Sequence, residues 1–313
     1  MDNENMQRMR DLIELVNHYR HAYYILKSPL VSDEEYDKRF KELTKLQLKL
    51  GVYMANSPVM QPGFPPVEKL NEVQYVDYPT ATLRTSDIAT LLEFQRQYQL
   101  LLIPNLKGVS VRLTYEEYEL KEIATIGTNG AGYVITHNAC SIADVPIAFD
   151  RKERLVVAGK LFMNLDTFEL LSKTMVNRHG VPYTDINCMI YDAVHLLDPK
   201  LCARCKLRFL VTEVLEGMEN IPSKSQRLAM LSQYGFVTCK YLVSNRPLNI
   251  RQMEQGLHIL HSDCQEAGIP ESGAMLMFND AQVAALCGKE GLPNSDRIIW
   301  LDSSVQPVSD FVA

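Results

Sequence analysis

Between residues 57 and 66 the hydrophobic rhythm of this 313-residue chain changes, and that change limits the folds open to it. Pro58, Pro62, Pro65 and Pro66, with Gly63 among them, can continue neither a helix nor a central strand, because proline lacks the backbone donor and fixes φ. Upstream, Met9, Leu12, Ile13, Val16 and Tyr23 recur at helical spacing, which predicts an amphipathic helix ending near Leu26, ahead of Pro29. Ser32-Asp33-Glu34-Glu35 has capping-box spacing, and Tyr36, Phe40, Leu43, Leu46 and Leu50 form the stripe of a second helix closed by Gly51. Downstream, Val109, Val111, Leu113 and Tyr115 alternate with Ser110, Arg112 and Thr114, the period of a half-buried strand, with Leu120 to Ile126 returning beside it. A helical hairpin over 1–62 followed by a larger strand-and-helix body over 63–313 is the expected organisation.

Within that body, apolar runs predict strands at 155–162, 188–195, 237–243, 274–278 and 297–301. Helical patterns fit 166–178, 224–234 and 250–266, the second opened by a Ser223-x-x-Gln226 capping box. With 46% hydrophobic residues the chain can bury one large core or two moderate ones. Its net charge of -6 gives no global attraction to nucleic acid, so DNA binding is not supported by composition. No apolar run reaches the ~20 residues of a membrane span, and residues 1–20 lack a signal-peptide core, so a cytoplasmic, soluble protein is expected.

Seven scattered cysteines do not form a disulfide pattern. Cys202-Ala203-Arg204-Cys205 has no second ligand pair at zinc spacing and reads as an ordinary turn. The glycine-rich stretch Gly127 to Gly132 lacks the Lys-Ser/Thr of a phosphate-binding loop and also reads as a turn.

His18-x-x-x-x-Tyr23-Tyr24-Ile25 and Ser28-Pro29-x-x-Ser32-Asp33-Glu34-Glu35-Tyr36-Asp37 together resemble the N-terminal module of bacterial NAD-dependent DNA ligases. The resemblance continues through Ser57-Pro58, Pro79-x-x-Thr82-Leu83, Thr125-x-Gly127-x-x-x-x-Gly132-x-x-x-Thr136-x-Asn138, Leu197-Asp198-Pro199 and Gly273 to Asn279. It implies an α+β fold, in which the helical module precedes a ligase-type nucleotidyltransferase (adenylation) domain of antiparallel sheets and packed helices. It also implies nicotinamide recognition by Tyr23, Tyr24, Asp33, Tyr36 and Asp37, and an adenine pocket lined by Thr82 and Leu83. Aromatic rings suit a cationic nicotinamide, and carboxylates accept hydrogen bonds from ribose and carboxamide.

The positions at which the resembled family does chemistry are altered. Asn105 stands at the nucleophilic lysine and Lys107 at the aspartate two residues on, within Asn105-Leu106-Lys107-Gly108. Ile103 replaces an acid, Ile126 a phosphate-facing arginine, Lys160 a glutamate, Ser272 an aspartate and Met277 a lysine. Arg84 replaces an aspartate, and a final lysine falls near Asp302-Ser303, where none is present. An amide cannot form a phosphoramidate, and losing one electrostatic contributor alone costs on the order of 10²- to 10³-fold in rate.

The expectation is a catalytically inactive homologue with no catalytic residue and no magnesium or zinc site. It would act by binding NAD, nicotinamide mononucleotide, a related nucleotide or a protein partner. One alternative is a scaffold whose pocket is plugged by Ile103, Ile126 and Met277, and another is residual adenylation through Lys107, which shares a strand face with Asn105.

Overall fold

The computed structural model describes residues 3–24, 30–50, 67, 69–75, 83–95, 98–127, 130–149, 151–177, 180–244, 246–288 and 293–301. The proline-rich stretch 57–66, Thr82, the side chains of Tyr23 and Tyr24, and the expected lysine-less end of the last strand at 302–303 lie outside them.

Two helices come first, α1 (Asn3–Tyr24) and α2 (Asp33–Leu50). Met9, Leu12, Ile13 and Val16 of α1 bury against Leu43, with Tyr36, Phe40, Leu46 and Leu50 packed around them, so the two stripes seen in sequence face each other. Asp33, Glu34 and Glu35 place negative charge at the positive end of the α2 dipole, and Ser32 Oγ accepts the Glu35 N–H at 3.3 Å. Lys41 of α2 reaches Glu119 of the body at 3.5 Å.

The body then runs β1 (Glu72–Gln74), β2 (Leu83–Thr85), α3 (Ile88–Gln95), β3 (Leu100–Leu106), β4 (Val109–Glu116), β5 (Glu119–Thr125) and β6 (Ala131–Tyr133). After a 3₁₀ turn at Thr136–Ser141 come β7 (Leu155–Phe162), α4 (Leu165–Leu171), α5 (Ile186–Val194), α6 (Pro199–Arg204) and β8 (Arg208–Glu216). The last elements are α7 (Lys224–Gln233), β9 (Leu242–Ser244), α8 (Ile250–Glu266), β10 (Glu271–Phe278), α9 (Ala281–Ala284) and β11 (Arg297–Trp300). One sheet has the order β2-β11-β10-β3-β9 and a second β5-β4-β7-β8, while β1 and β6 form a separate pair. Pairing is antiparallel except between β2 and β11. The fold is α+β with packed helices, as the sequence implied.

β3 is buried on both faces, and this decides where the sheets sit. Leu100 and Leu102 pack with Leu276, Phe278, Leu91 of α3, and Met253, Leu257 and Leu260 of α8. Leu101 and Ile103 face the other way, into the main core with Met277, Val111 and Leu161. Each fully buried side chain of this kind contributes roughly 1.5–3 kcal/mol. Between β3 and β4 the chain leaves one sheet for the other at Gly108, whose φ is +132°. A Cβ there would stand 2.2 Å from the Leu161 carbonyl oxygen, so only glycine fits the crossing.

Three expected elements differ. Residues 188–195 belong to helix α5, because Ile186, Met189, Ile190, Ala193 and Val194 are buried at helical spacing and Asp185 caps Cys188 N–H. The strand expected at 237–243 is confined to β9, and the helix expected at 166–178 stops at Leu171. Strand β8, which no sequence pattern singled out, completes the four-stranded sheet.

Candidate functional site

The two sheets share the main core, to which β3 contributes Leu101 and Ile103 and β10 contributes Met277. Ile103 registers with Met275 and Leu101 with Met277. Ile103 and Met277 are each only 1% exposed, so the acid-to-isoleucine and lysine-to-methionine positions are packed hydrocarbon and thioether. A register shift in β10 between Glu271 and Ala274 swings Ser272 toward β3. There the Asn105 amide donates to Ser272 Oγ at 3.0 Å, and Ser272 Oγ returns a 3.4 Å bond to the Asn105 carbonyl. The two altered positions satisfy each other as a neutral pair.

Beside Met277 lies a charge cluster spanning both sheets. Lys224 Nζ, 3.9 Å from Met277 Sδ, donates to Glu213 of β8 at 3.1 Å and to Asp296 at 2.5 Å. Arg297 of β11 donates two bonds of 3.1 Å to Glu213 and two, of 3.0 and 3.3 Å, to Asp296. All four residues are buried, and two cations balance two anions. Burial alone would raise the Glu213 carboxyl, but Lys224 and Arg297 more than offset it and hold it down to about 2. Burial likewise acts to lower Arg297, and its two carboxylates reverse that to leave it above the ordinary arginine value. Lys224 is aimed by its helix. Its N–H donates to the Asn279 carbonyl at 2.7 Å, Ser225 N–H donates to Asn279 Oδ1, and the Asn279 amide donates to Ser223 Oγ.

Lys160 on β7 is half-buried. Its ammonium donates to the Gly108 carbonyl at 3.4 Å. Burial, then the like charge of Arg84, lower it to about 8. Ile126, 6% exposed and just past the end of β5, donates its N–H to the Ser110 carbonyl of β4, and Ser110 registers with Lys160 of β7. Lys107 is half-buried, and its backbone N–H is tied to the Pro270 carbonyl at 2.9 Å.

The N-terminal residues behave separately. Asp33, Tyr36 and Asp37 share one side of the first two turns of α2, with both carboxylates exposed. Tyr36 is half-buried, packs on the hairpin core and stacks on Phe40 with ring centroids 6.0 Å apart. Leu83 is 47% exposed on β2, opposite Ile298. Both carboxylates are free to accept hydrogen bonds from solvent-side groups, and Asn105 presents a neutral amide to Ser272. Among the described residues, no three His, Cys, Asp or Glu side chains are gathered as a metal site, and no helix is long and apolar enough to cross a membrane. Cys202 and Cys205, at the end of α6, are buried free thiols.

The chain thus has a helical pair followed by a body of two main sheets, with β3 inside the five-stranded one, a mixed α+β architecture of the ligase nucleotidyltransferase type. Residues 81–288 match the family described as NAD-dependent DNA ligase adenylation domain, and residues 2–61 match the DNA ligase-like N-terminal NAD+-binding domain. The chain belongs to the NAD-dependent DNA ligase family. It is 26% identical to a DNA ligase of Alkaliphilus metalliredigens over 91% of this chain and 44% of that one. It is 24% identical to a DNA ligase of Ruminiclostridium cellulolyticum over 96% of this chain and 45% of the other, so it spans less than half the length of these relatives. Among solved structures, a putative ATP-dependent DNA ligase from Aquifex aeolicus aligns with TM-score 0.41 at 11% identity, covering 84% of this chain and 62% of that one. An archaeal ATP-dependent RNA ligase aligns with TM-score 0.40 at 15% identity, over 72% of this chain and 48% of the other.

Sequence reasoning did not single out Glu213, Lys224, Asp296 or Arg297. One signal was present: Lys224 is the first residue of α7, where a cation opposes the helix dipole unless it serves something else.

Proposed function

We propose that this chain acts by binding and does not transfer adenylate. One observation supports the reading above the rest: Asn105 and Ser272 are bonded to each other in a wall whose neighbours Ile103 and Met277 are buried. Adenylyl transfer of the family type needs an amine that attacks the α-phosphorus and charges that stabilise the transition state. Here the amide cannot attack, and the buried ammonium of Lys224 is committed to two carboxylates.

The ligand in this reading is NAD, nicotinamide mononucleotide or a related nucleotide, held at the N-terminal hairpin by Tyr23, Tyr24, Asp33, Tyr36 and Asp37. The match of residues 2–61 to an NAD+-binding domain and the exposure of both carboxylates support it. A second reading, a scaffold that binds a protein partner, is favoured by the burial of Ile103, Ile126 and Met277. Calorimetry with nicotinamide mononucleotide and NAD decides between them. Heat and a thermal shift that Tyr24→Ala abolishes support the nucleotide, and silence at millimolar ligand from both proteins leaves the scaffold. Intact mass after incubation with NAD and magnesium should show no AMP adduct, and an adduct that disappears in Lys107→Ala would overturn the non-catalytic reading.

A further inference from the structure

Two opposed stripes run along α2. Tyr36, Phe40, Leu43 and Leu46 pack toward α1, while Lys38, Lys41, Lys45 and Lys49 recur at helical spacing on the other side. The hairpin's apolar cluster is its own: among the described residues, neither cluster of the body includes a residue of α1 or α2. Contacts from the lysine side reach across instead. Lys41 Nζ stands 3.5 Å from Glu119, and Lys45 Nζ lies 5.5 Å from the centre of the Tyr118 ring.

Both contacts fall on the turn between β4 and β5, Glu116-Glu117-Tyr118-Glu119, with three carboxylates in four residues. Its corner residues, Glu117 and Tyr118, have φ of +50° and +69°. Tight hairpins that need two such angles ordinarily use Asn, Asp or Gly, so two long side chains are held here against their backbone preference. The following chain holds them: Glu117 N–H donates to the Lys152 carbonyl at 3.1 Å and Tyr118 N–H to the Arg151 carbonyl at 3.2 Å, while the Tyr118 carbonyl accepts the Phe149 N–H at 2.9 Å. Glu116 pairs with Arg154 and Glu117 with Lys152, whereas Glu119, shared with Lys121, and the ring of Tyr118 are turned to α2. A backbone outlier fixed from behind in this way marks a clamp more often than an idle turn.

We propose that this turn is an electrostatic latch for the N-terminal hairpin, with docked and released states whose balance is set by ionic strength. One exposed ion pair and one exposed cation–π contact together favour the docked state by about tenfold. Salt that screens them is therefore enough to populate the released state. Docking fixes where Asp33 and Asp37, on the same helix, stand relative to the body, and release carries them away from it.

The test uses the full chain without ligand. Zero-length carbodiimide coupling joins only an amine and a carboxylate in contact, and peptide mass should find a Lys41–Glu119 cross-link at about 0.01 M salt that falls at least about fivefold at about 1 M. The Lys121–Glu119 cross-link, between residues of one strand, should change little. Small-angle scattering should show the radius of gyration rising over the same range, and Lys41→Glu should be expanded at both ends of it. Tyr118→Gly accepts the left-handed backbone, so its unfolding midpoint should equal or exceed that of the parent while its cross-link weakens. A Lys41–Glu119 cross-link absent at low salt or unchanged at high salt, a radius indifferent to salt, or a Lys41→Glu chain as compact as the parent overturns the proposal. No nucleotide is present, so this outcome and that of the nucleotide reading at the hairpin are separate.

Discussion

Glu213→Gln keeps the shape of the cluster between the sheets and removes one charge. The carboxylate accepts from Lys224 and twice from Arg297, each at 3.1 Å. Its fall from the ordinary 4.5 to about 2, at about 1.4 kcal/mol for each pH unit, corresponds to about 3 kcal/mol of stability. Neutralising it also leaves two buried cations sharing Asp296, which places the expected cost at about 3–5 kcal/mol. Urea unfolding at neutral pH should show this as a lower midpoint, and thermal scans as a loss of about 6–20 °C. Because the folded carboxyl titrates below the unfolded one, its stabilisation is complete above about pH 4.5 and fades as pH falls toward about 2. The gap between parent and Glu213→Gln should narrow over that window. Adding Lys224→Met restores neutrality and should recover a large part of the loss. A cost under about 1 kcal/mol with no pH dependence, or a double variant as unstable as the summed single variants, would refute the claim that the cluster bridges the sheets as a unit.

Three further outcomes follow from the geometry. Gly108→Ala should cost about 3 kcal/mol or more by urea unfolding, since the new methyl meets the Leu161 carbonyl and the φ of +132° disfavours any L side chain. Asn249→Ala removes the capping box at the start of α8 and should cost about 1 kcal/mol in the same assay. A thiol reagent on the native protein should label the exposed Cys188 first, while Cys202 and Cys239, buried and pushed up to about 12, react only on unfolding.

Elements whose apolar period is unbroken were legible in the sequence. α2, β4, β7 and α8 lie where the pattern put them: α2, β4 and α8 bury one regular stripe or alternation, and β7 is an apolar run buried at every position but Lys160. β8 was not, because register shifts opposite Val156 and Gly159 break its alternation and because Glu213 sits inside it as a buried charge. Residues 186–194 misled because a short apolar run fits either period, and only the Asp185 cap and the burial of Ala193 and Val194 decide for a helix. At the site, the substitutions at 105 and 272 could be read singly, but their mutual hydrogen bond spans 167 residues of chain and depends on a bulge that no local pattern announces. The same holds for Lys224, whose partners come from β8 and from the residue before β11.

The placement of Lys224 bears on how such chains are compared. In the strand, position 277 carries a methionine and no cation. Yet an ammonium stands within 3.9 Å of that methionine's sulfur, delivered from the first turn of a helix more than fifty residues earlier in the chain. Two carboxylates meet it there, so the positive charge beside Met277 is encoded far from the strand it serves, and it can be read from the folded atoms but not from the letters around position 277.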